Sequence, residues 1–238
     1  MKSKKLKIKE VELKNNAVII ADVHYKKGDK EFLEVLKKWV ENPPPQVFLL
    51  GDIFHLLLPF KFLVEYNKEA INLINHLSQK TEVYYTPGNH DFNIQKIFPY
   101  VVFGEAFLDV NRNVFLTHGD LTDDDFFYGF YVKIIRNSLI YNILNYLSLN
   151  FLNDWLFDKI LKKRIECEQL KKFEKKIKEK IKIYDYDIII EGHYHQNKKM
   201  NFYDKIYINL PAFICTKSYI LIQLEKNPII KEINYDGR

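Results

Sequence analysis

Asp22 and His24 stand two residues apart in "DVH", and His193 and His195 stand two apart in "GHYH". In extended backbone, residues at this spacing project to the same side. Each pair can therefore aim two donors at one point. A histidine pair is a weak signal by itself, because two polar residues at a loop entrance look the same. Further donors stand elsewhere in the chain at Asp52, Asn89 and His118. The set mixes imidazole, carboxylate and amide oxygen and contains no thiolate. Such donors suit manganese, iron, zinc or related divalent ions without selecting one. Two ions about 3.5 to 4 Å apart need a bridging oxygen ligand and a mixed nitrogen and oxygen shell. Asp52 can supply the bridge, and the histidines complete two half-shells.

Five short runs share one grammar and end where these donors stand. They are "AVIIADVH" (Ala17–His24), "QVFLLGD" (Gln46–Asp52), "VYYTPGNHD" (Val83–Asp91), "VFLTHGD" (Val114–Asp120) and "DIIIEGHYH" (Asp187–His195). Continuous apolar runs of this length suit strands buried on both faces. In open α/β sheets, ligands bind beyond the carboxyl ends of the strands, which is where the polar residues fall. Helical patterns lie between the first runs. Phe32, Leu33, Leu36, Trp39 and Val40 form one stripe, with Asp29 as its cap and Pro43–Pro45 as its stop. Leu63, Tyr66, Ala70, Leu73, Ile74 and Leu77 form a second. Strand and helix in alternation predict an α/β layered fold. Near the C-terminus, "KIYINL", "SYILIQLE" and "PIIKEINY" read as antiparallel strands with short turns.

Residues 121–186 break the alternation and read as a helical cap inserted into a single domain spanning residues 1–238. Ile140, Ile143, Leu144, Leu147 and Phe151 share one helix face. A second helix over Glu166 to Ile183 carries Leu170, Phe173, Ile177 and Ile181 on one side and lysines on the other. Lys162 to Lys182 holds ten basic and four acidic residues, a net +6 in a chain of net +5. The basic character therefore belongs to this segment and not to the whole surface. A lysine-rich helix face is as often simply solvated as it is functional. Beside an apolar cap it also suits an amphiphilic, anionic substrate at a membrane surface. Nucleic acid fits less well, because no basic strip interleaves with exposed aromatics.

Bulk composition is that of a globular protein with a real core, at 47% hydrophobic and 28% charged residues. Cys167 and Cys215 lie far apart in no metal-like spacing, so reduced thiols and no disulfide framework are expected. The basic N-terminus lacks the apolar core of a signal peptide. No run of about 18 uncharged apolar residues occurs, so no membrane span is predicted. The expected location is the cytoplasm.

The ordered motifs "DVH", "GD", "GNHD", "THGD" and "GHYH" resemble those of the calcineurin-like metallophosphoesterases. The resemblance runs from about Asp22 to His195 and on into "INLPAF". It implies a two-sheet sandwich flanked by helices, the αββα arrangement, and two divalent metal ions. It assigns Asp22, His24, Asp52 and His195 to one ion and Asp52, Asn89, His118 and His193 to the other. The activity implied is hydrolysis of a phosphate ester, with His90 stabilising phosphoryl oxygens or protonating the leaving group. Asp91, its neighbour, is expected to orient the His90 imidazole. Some proteins of this fold keep the shape and act only as binding scaffolds. Loss of a ligand or of the histidine after the asparagine would signal that, and neither is missing here.

Within the family, chain length, "GDIF", the acidic and aromatic stretch after "HGD" and the helical cap are similar to UDP-2,3-diacylglucosamine pyrophosphatases of lipid A synthesis. That resemblance implies manganese, a lipid-linked nucleotide sugar and peripheral attachment at the inner membrane. "GNHD" departs from it, since that subfamily carries arginine at the position of His90. A soluble nucleotide, a nucleic acid or another phosphoester is the alternative substrate. Among the remaining polar residues, Asp120 is a candidate support for His118. His55 has either a contact near the site or a packing role. His76 reads as a surface residue, and the run Asp123 to Asp125 as a helix start.

Overall fold

The computed structural model describes residues 6–122, 159, 161–224 and 228–235. The five donor-bearing runs are strands: β2 (Ala17–Ile20), β3 (Gln46–Leu50), β4 (Glu82–Thr86), β7 (Val114–Thr117) and β8 (Ile188–Glu191). Seven others accompany them: β1 (Ile8–Glu10), β5 (Val102–Phe103), β6 (Ala106–Asp109), β9 (Lys198–Phe202), β10 (Lys205–Asn209), β11 (Ser218–Leu224) and β12 (Pro228–Asn234). They build two six-stranded sheets, ordered β12-β11-β2-β3-β4-β5 and β1-β6-β7-β8-β10-β9. Both are mixed. β2, β3, β4 and β5 run parallel, with Ile19 beside Phe48 and Phe48 beside Tyr84. In the other sheet, β7, β8 and β10 run parallel.

Two-residue alternation sorts the side chains of β2 and β3 between two layers. Ala17, Ile19, Phe48 and Leu50 face the second sheet and meet Phe107, Leu116, Ile190 and Ile208. Val18, Ile20, Val47 and Leu49 face outward onto two helices, α1 (Lys30–Glu41) and α3 (Lys68–Ser78). Phe32, Leu36 and Trp39 of α1 and Ala70, Ile74 and Leu77 of α3 fill that layer. Outside the second sheet, Phe173 and Ile177 of α4 (Phe173–Lys180) pack on Phe115, Ile189 and Tyr207. The result is helix, sheet, sheet, helix, as the family resemblance implies. Phe48 is fully buried and stacks on Tyr84 at 4.9 Å between ring centroids. Truncating it to alanine is expected to cost about 3–5 kcal/mol.

Several expectations need correction. The second helical stripe divides at Asn67 into α2 (Lys61–Tyr66) and α3. The buried Asn67 amide donates to the carbonyls of Leu56 at 3.1 Å and Leu63 at 2.8 Å, and so competes for local backbone groups. "KIYINL" does not join the C-terminal antiparallel pair. It is β10, parallel to β8 and antiparallel to β9, whereas β11 and β12 pair in the other sheet. The helix expected from Glu166 begins only at Phe173. Lys172 before it has a left-handed φ of 65°. Further back, the Gln196 side chain accepts the Leu170 N–H at 2.8 Å and donates to the Glu168 carbonyl at 3.2 Å. Residues 163–172 therefore form a strap rather than a helix.

Cys167 and Cys215 are not reduced thiols. They form a disulfide across 48 residues of sequence, with Cα atoms 5.7 Å apart. The bridge ties the strap to α5 (Phe213–Thr216), two segments that only the tertiary fold brings together. No helix among the described residues is long and apolar enough to cross a membrane. The helix face at Ile140 to Phe151, the run Asp123 to Asp125 and most of the expected cap lie outside the described residues.

Candidate metal centre

The carboxyl ends of β2, β3, β4, β7 and β8 converge. Asp22 and His24 aim at one point, whereas His193 and His195 part, His193 toward Asp52 and His118 and His195 toward Asp22 and His24; neither pair projects from extended backbone as the sequence suggested. Asp22 (φ 51°), His24 (47°), Asp52 (51°), His193 (68°) and His195 (56°) are all left-handed. Non-glycine residues avoid that region, at about 1–3 kcal/mol each. Alternate left-handed residues curl the chain so that the polar side chains meet while Val23 and Tyr194 between them stay buried. Strained backbone concentrated at the donors marks these loops as built for position.

Neighbouring loops lock one another. Asp22 N–H donates to the Gly51 carbonyl at 3.1 Å, and His24 N–H to the Asp52 carbonyl at 2.9 Å. The Asp22 carboxylate accepts the His193 N–H at 3.1 and 2.9 Å. Gly88 leaves room for the Asp52 carboxylate. A Cβ there would stand 2.1 Å from Asp52 Oδ1.

Asp52 lies at the middle. Its Oδ1 accepts the His90 N–H at 2.9 Å. Its Oδ2 stands 3.5 Å from His118 Nε2 and 3.9 Å from His24 Nε2. Asp22 Oδ1 is 3.3 Å from His195 Nε2. Donor atoms gather into three overlapping groups: Asp22 with His24 and His195, Asp52 with His118 and His193, and His24 with Asp52 and His90; within each, the atoms lie within 4.8 Å.

Three imidazoles are turned by carbonyls. His118 Nδ1 is 2.9 Å from the Leu50 oxygen, His195 Nδ1 is 3.1 Å from that of Glu166, and His90 Nδ1 is 2.7 Å from that of His55. A carbonyl only accepts, so each Nδ1 carries the hydrogen, and Nε2 is the electron-pair donor of the neutral ring. The Leu50 carbonyl thus turns His118, and the Asp120 carboxylate favours a positive charge on its ring.

Both ring nitrogens of His24, Nε2 of His118 and Oδ1 of Asn89 are buried with no hydrogen-bond partner. Buried polar atoms rarely go unsatisfied, and these four belong to one cluster of metal-type donors. The residues fit a pair of divalent cations. Charge supports this. Burial pulls the His24 pKa down to about 3, which keeps its ring neutral. Burial opposes ionisation of Asp22, yet His195 and His118 hold it below the usual carboxylate range. Asp52 is likewise held well below it, against burial, chiefly by His118.

Asp91 differs from expectation. Its buried carboxylate does not orient His90. It accepts the N–H groups of Asp52 (3.2 Å), Ile53 (2.6 Å), Phe54 (3.2 Å) and Gly88 (2.7 Å), and the Tyr85 hydroxyl (2.5 Å). It pins the Asp52 loop to the loop that carries Asn89. His55 contributes through its backbone oxygen, and its buried ring lies 5.8 Å from that of His24. His76 is exposed, as expected.

A cavity of about 230 Å³ opens over the donors, lined by His24, Asp52, Asn89, His90, His193 and His195 together with Lys163 to Glu166 of the strap. Lys163 and Arg164 belong to the basic run whose role the sequence left open. A larger cavity of about 660 Å³, near Pro43–Pro45 and Tyr100, lies at the opposite ends of β3 and β4, away from every donor.

A model of the calcineurin-like phosphoesterase family matches residues 16–197. No curated protein sequence matches the chain. Among solved structures, a dimetal phosphatase from Danio rerio is 13% identical with a TM-score of 0.47, over 93% of this chain and 99% of that one. An archaeal phosphodiesterase is 14% identical with a TM-score of 0.45, over 92% and 98%. An uncharacterized predicted phosphoesterase from Streptococcus pneumoniae TIGR4 is 15% identical with a TM-score of 0.42, over 95% and 92%.

Proposed function

Because the chain belongs to the calcineurin-like phosphoesterase family, we propose that it hydrolyses a phosphate ester or pyrophosphate bond at a centre of two divalent ions, with manganese as the working pair. Asp22, His24, Asp52 and His195 would hold one ion, and Asp52, Asn89, His118 and His193 the other. When bound, such a pair neutralises phosphoryl oxygens and supplies a water acidic enough to act as nucleophile near neutral pH. The carrying observation is Asp52 Oδ2, set 3.5 Å from His118 Nε2 and 3.9 Å from His24 Nε2, where one oxygen can serve both half-shells.

The chain's own residues do the rest. The His55 carbonyl fixes the His90 ring, so that its free nitrogen serves the cavity. From there a protonated imidazole donates to a phosphoryl oxygen or to the departing oxygen. Asp91 holds the Asp52 and Asn89 loops in register. The test is turnover of bis(p-nitrophenyl) phosphate and p-nitrophenyl phosphate by Mn²⁺-loaded protein, beside Asp52→Asn. Turnover lost in the variant supports the reading. Equal turnover in both would sink the site assignment. A wild-type chain that binds no transition metal and cleaves nothing would instead be a binding scaffold.

A finer reading concerns the substrate. Lys163 and Arg164 line the same cavity as the donors and offer positive charge to a second anionic group. The cavity, at about 230 Å³, lies below the ~300–1,000 Å³ usual for whole ligands. It suits the phosphoryl part of a molecule whose remainder extends beyond the strap. A lipid-linked nucleotide sugar such as UDP-2,3-diacylglucosamine, met at a membrane surface, fits that description. Release of UMP and the lipid monophosphate under Mn²⁺ is the expected result. No product, with the aryl esters still cleaved, leaves a soluble phosphoester as substrate.

A further inference from the structure

Lys180 is the last residue of α4, and its side chain is 4% exposed. A lysine ammonium has three hydrogens to donate, and all three are used inside the protein. Nζ lies 2.9 Å from Glu191 Oε2, 3.0 Å from the Gly119 carbonyl oxygen and 3.0 Å from the Tyr194 hydroxyl. Glu191 is equally saturated. Tyr207 donates to Oε2 at 2.7 Å, Tyr184 makes a short bond to Oε1, and Thr122 reaches the same oxygen at 3.5 Å.

The three partners of Lys180 are sequence neighbours of ligands. Gly119 follows His118. Glu191 stands two residues before His193. Tyr194 sits between His193 and His195. One ammonium thus ties the loop after β7 to the loop after β8. Stability alone does not account for such a group, because a buried ion pair is often matched or bettered by apolar residues of similar volume. What apolar residues do not supply is three directed bonds that fix the two loops relative to each other.

We propose that Lys180 is a positioning residue of the metal centre. It sets the spacing of His118 against the His193/His195 pair and makes that spacing depend on the docking of α4. The inference rests on reading the donors as a binuclear phosphoesterase centre. It adds that α4, a helix within the segment expected as a cap, controls how well one of the two ions is held.

The test is metal binding by the full chain, read by Co²⁺ visible absorption and by calorimetry. Wild type should take up two ions. The neutral pair Lys180→Met with Glu191→Gln avoids leaving a lone buried charge. Folded by far-UV circular dichroism, it should hold the weaker ion about 10–100-fold less tightly, the usual effect of losing a partner behind the ligands. Its Co²⁺ spectrum should shift. If this pair does not fold, Tyr184→Phe with Tyr207→Phe strips two donors from Glu191 without a charge change, and should show the same loss in smaller degree. A folded variant with wild-type affinity and spectrum overturns the positioning role and leaves the phosphoesterase reading intact. A wild-type chain that binds no divalent ion overturns both.

Discussion

Nδ1 of His90 lies 2.7 Å from the carbonyl oxygen of His55. The contact fixes which nitrogen carries the hydrogen and leaves Nε2 to serve the cavity. If His90 protonates the departing oxygen, its value depends on the leaving group. His90→Ala should lower kcat for an alkyl phosphoester by about 10²–10⁴-fold. For a p-nitrophenyl ester, whose leaving group needs no proton, the loss should be much smaller. Equal losses on the two substrates, with metal still bound, would contradict an acid role.

Asp91 accepts five donors and touches none of the His90 ring nitrogens. Asp91→Ala strands those donors in the interior, at about 1–3 kcal/mol for each left unpaired. Urea unfolding should show a loss of several kcal/mol. A variant that keeps wild-type stability and loses only activity would restore the view of Asp91 as part of the chemistry.

The disulfide closes a loop of 48 residues and anchors the strap whose Glu166 carbonyl turns His195. Cys167→Ser should destabilise the oxidised protein by about 4 kcal/mol on chain-entropy grounds. Dithiothreitol should do the same to wild type and nothing further to the variant. Coincident unfolding curves for oxidised and reduced wild type would show that the bridge does not constrain the chain.

In metal-free protein, burial opposes a charge on His118, but the adjacent Asp52 carboxylate raises its pKa to about 10. The unfolded value is near 6.5. A raised basic group contributes stability that is fully present below about pH 6.5 and is lost as pH rises through about 10. Ligation needs the neutral ring, so metal uptake inside this window releases protons, and affinity climbs with pH. Calorimetry at pH 8 in two buffers of different ionisation enthalpy should report that release. Identical heats in the two buffers would contradict it.

Period and punctuation made much of this readable. The apolar runs of β2, β3, β4, β7 and β8, each ending in a candidate donor, carry the layering and bring those donors together. β1 and β5 escape sequence reading because two or three residues hold too little pattern, and β9 because "KKMNF" carries neither an apolar run nor a two-residue alternation, although β10 pairs with it directly. The curl at Asp22, His24, His193 and His195 was missed because left-handed backbone at non-glycine residues is a tertiary imposition. The disulfide was missed for the same reason, since nothing local joins Cys167 to Cys215. Lys180 had left a trace. It falls three residues after Ile177 and seven after Phe173, on the apolar stripe rather than the lysine face, and a charge at such a position calls for a buried partner.

Crystals soaked in Mn²⁺ and measured at the manganese absorption edge would show whether Asp52 joins two ions in one centre. Two anomalous peaks are expected, both bonded to Asp52, one also to Asp22, His24 and His195 and the other to Asn89, His118 and His193. A single peak, or two that do not share Asp52, would contradict that arrangement.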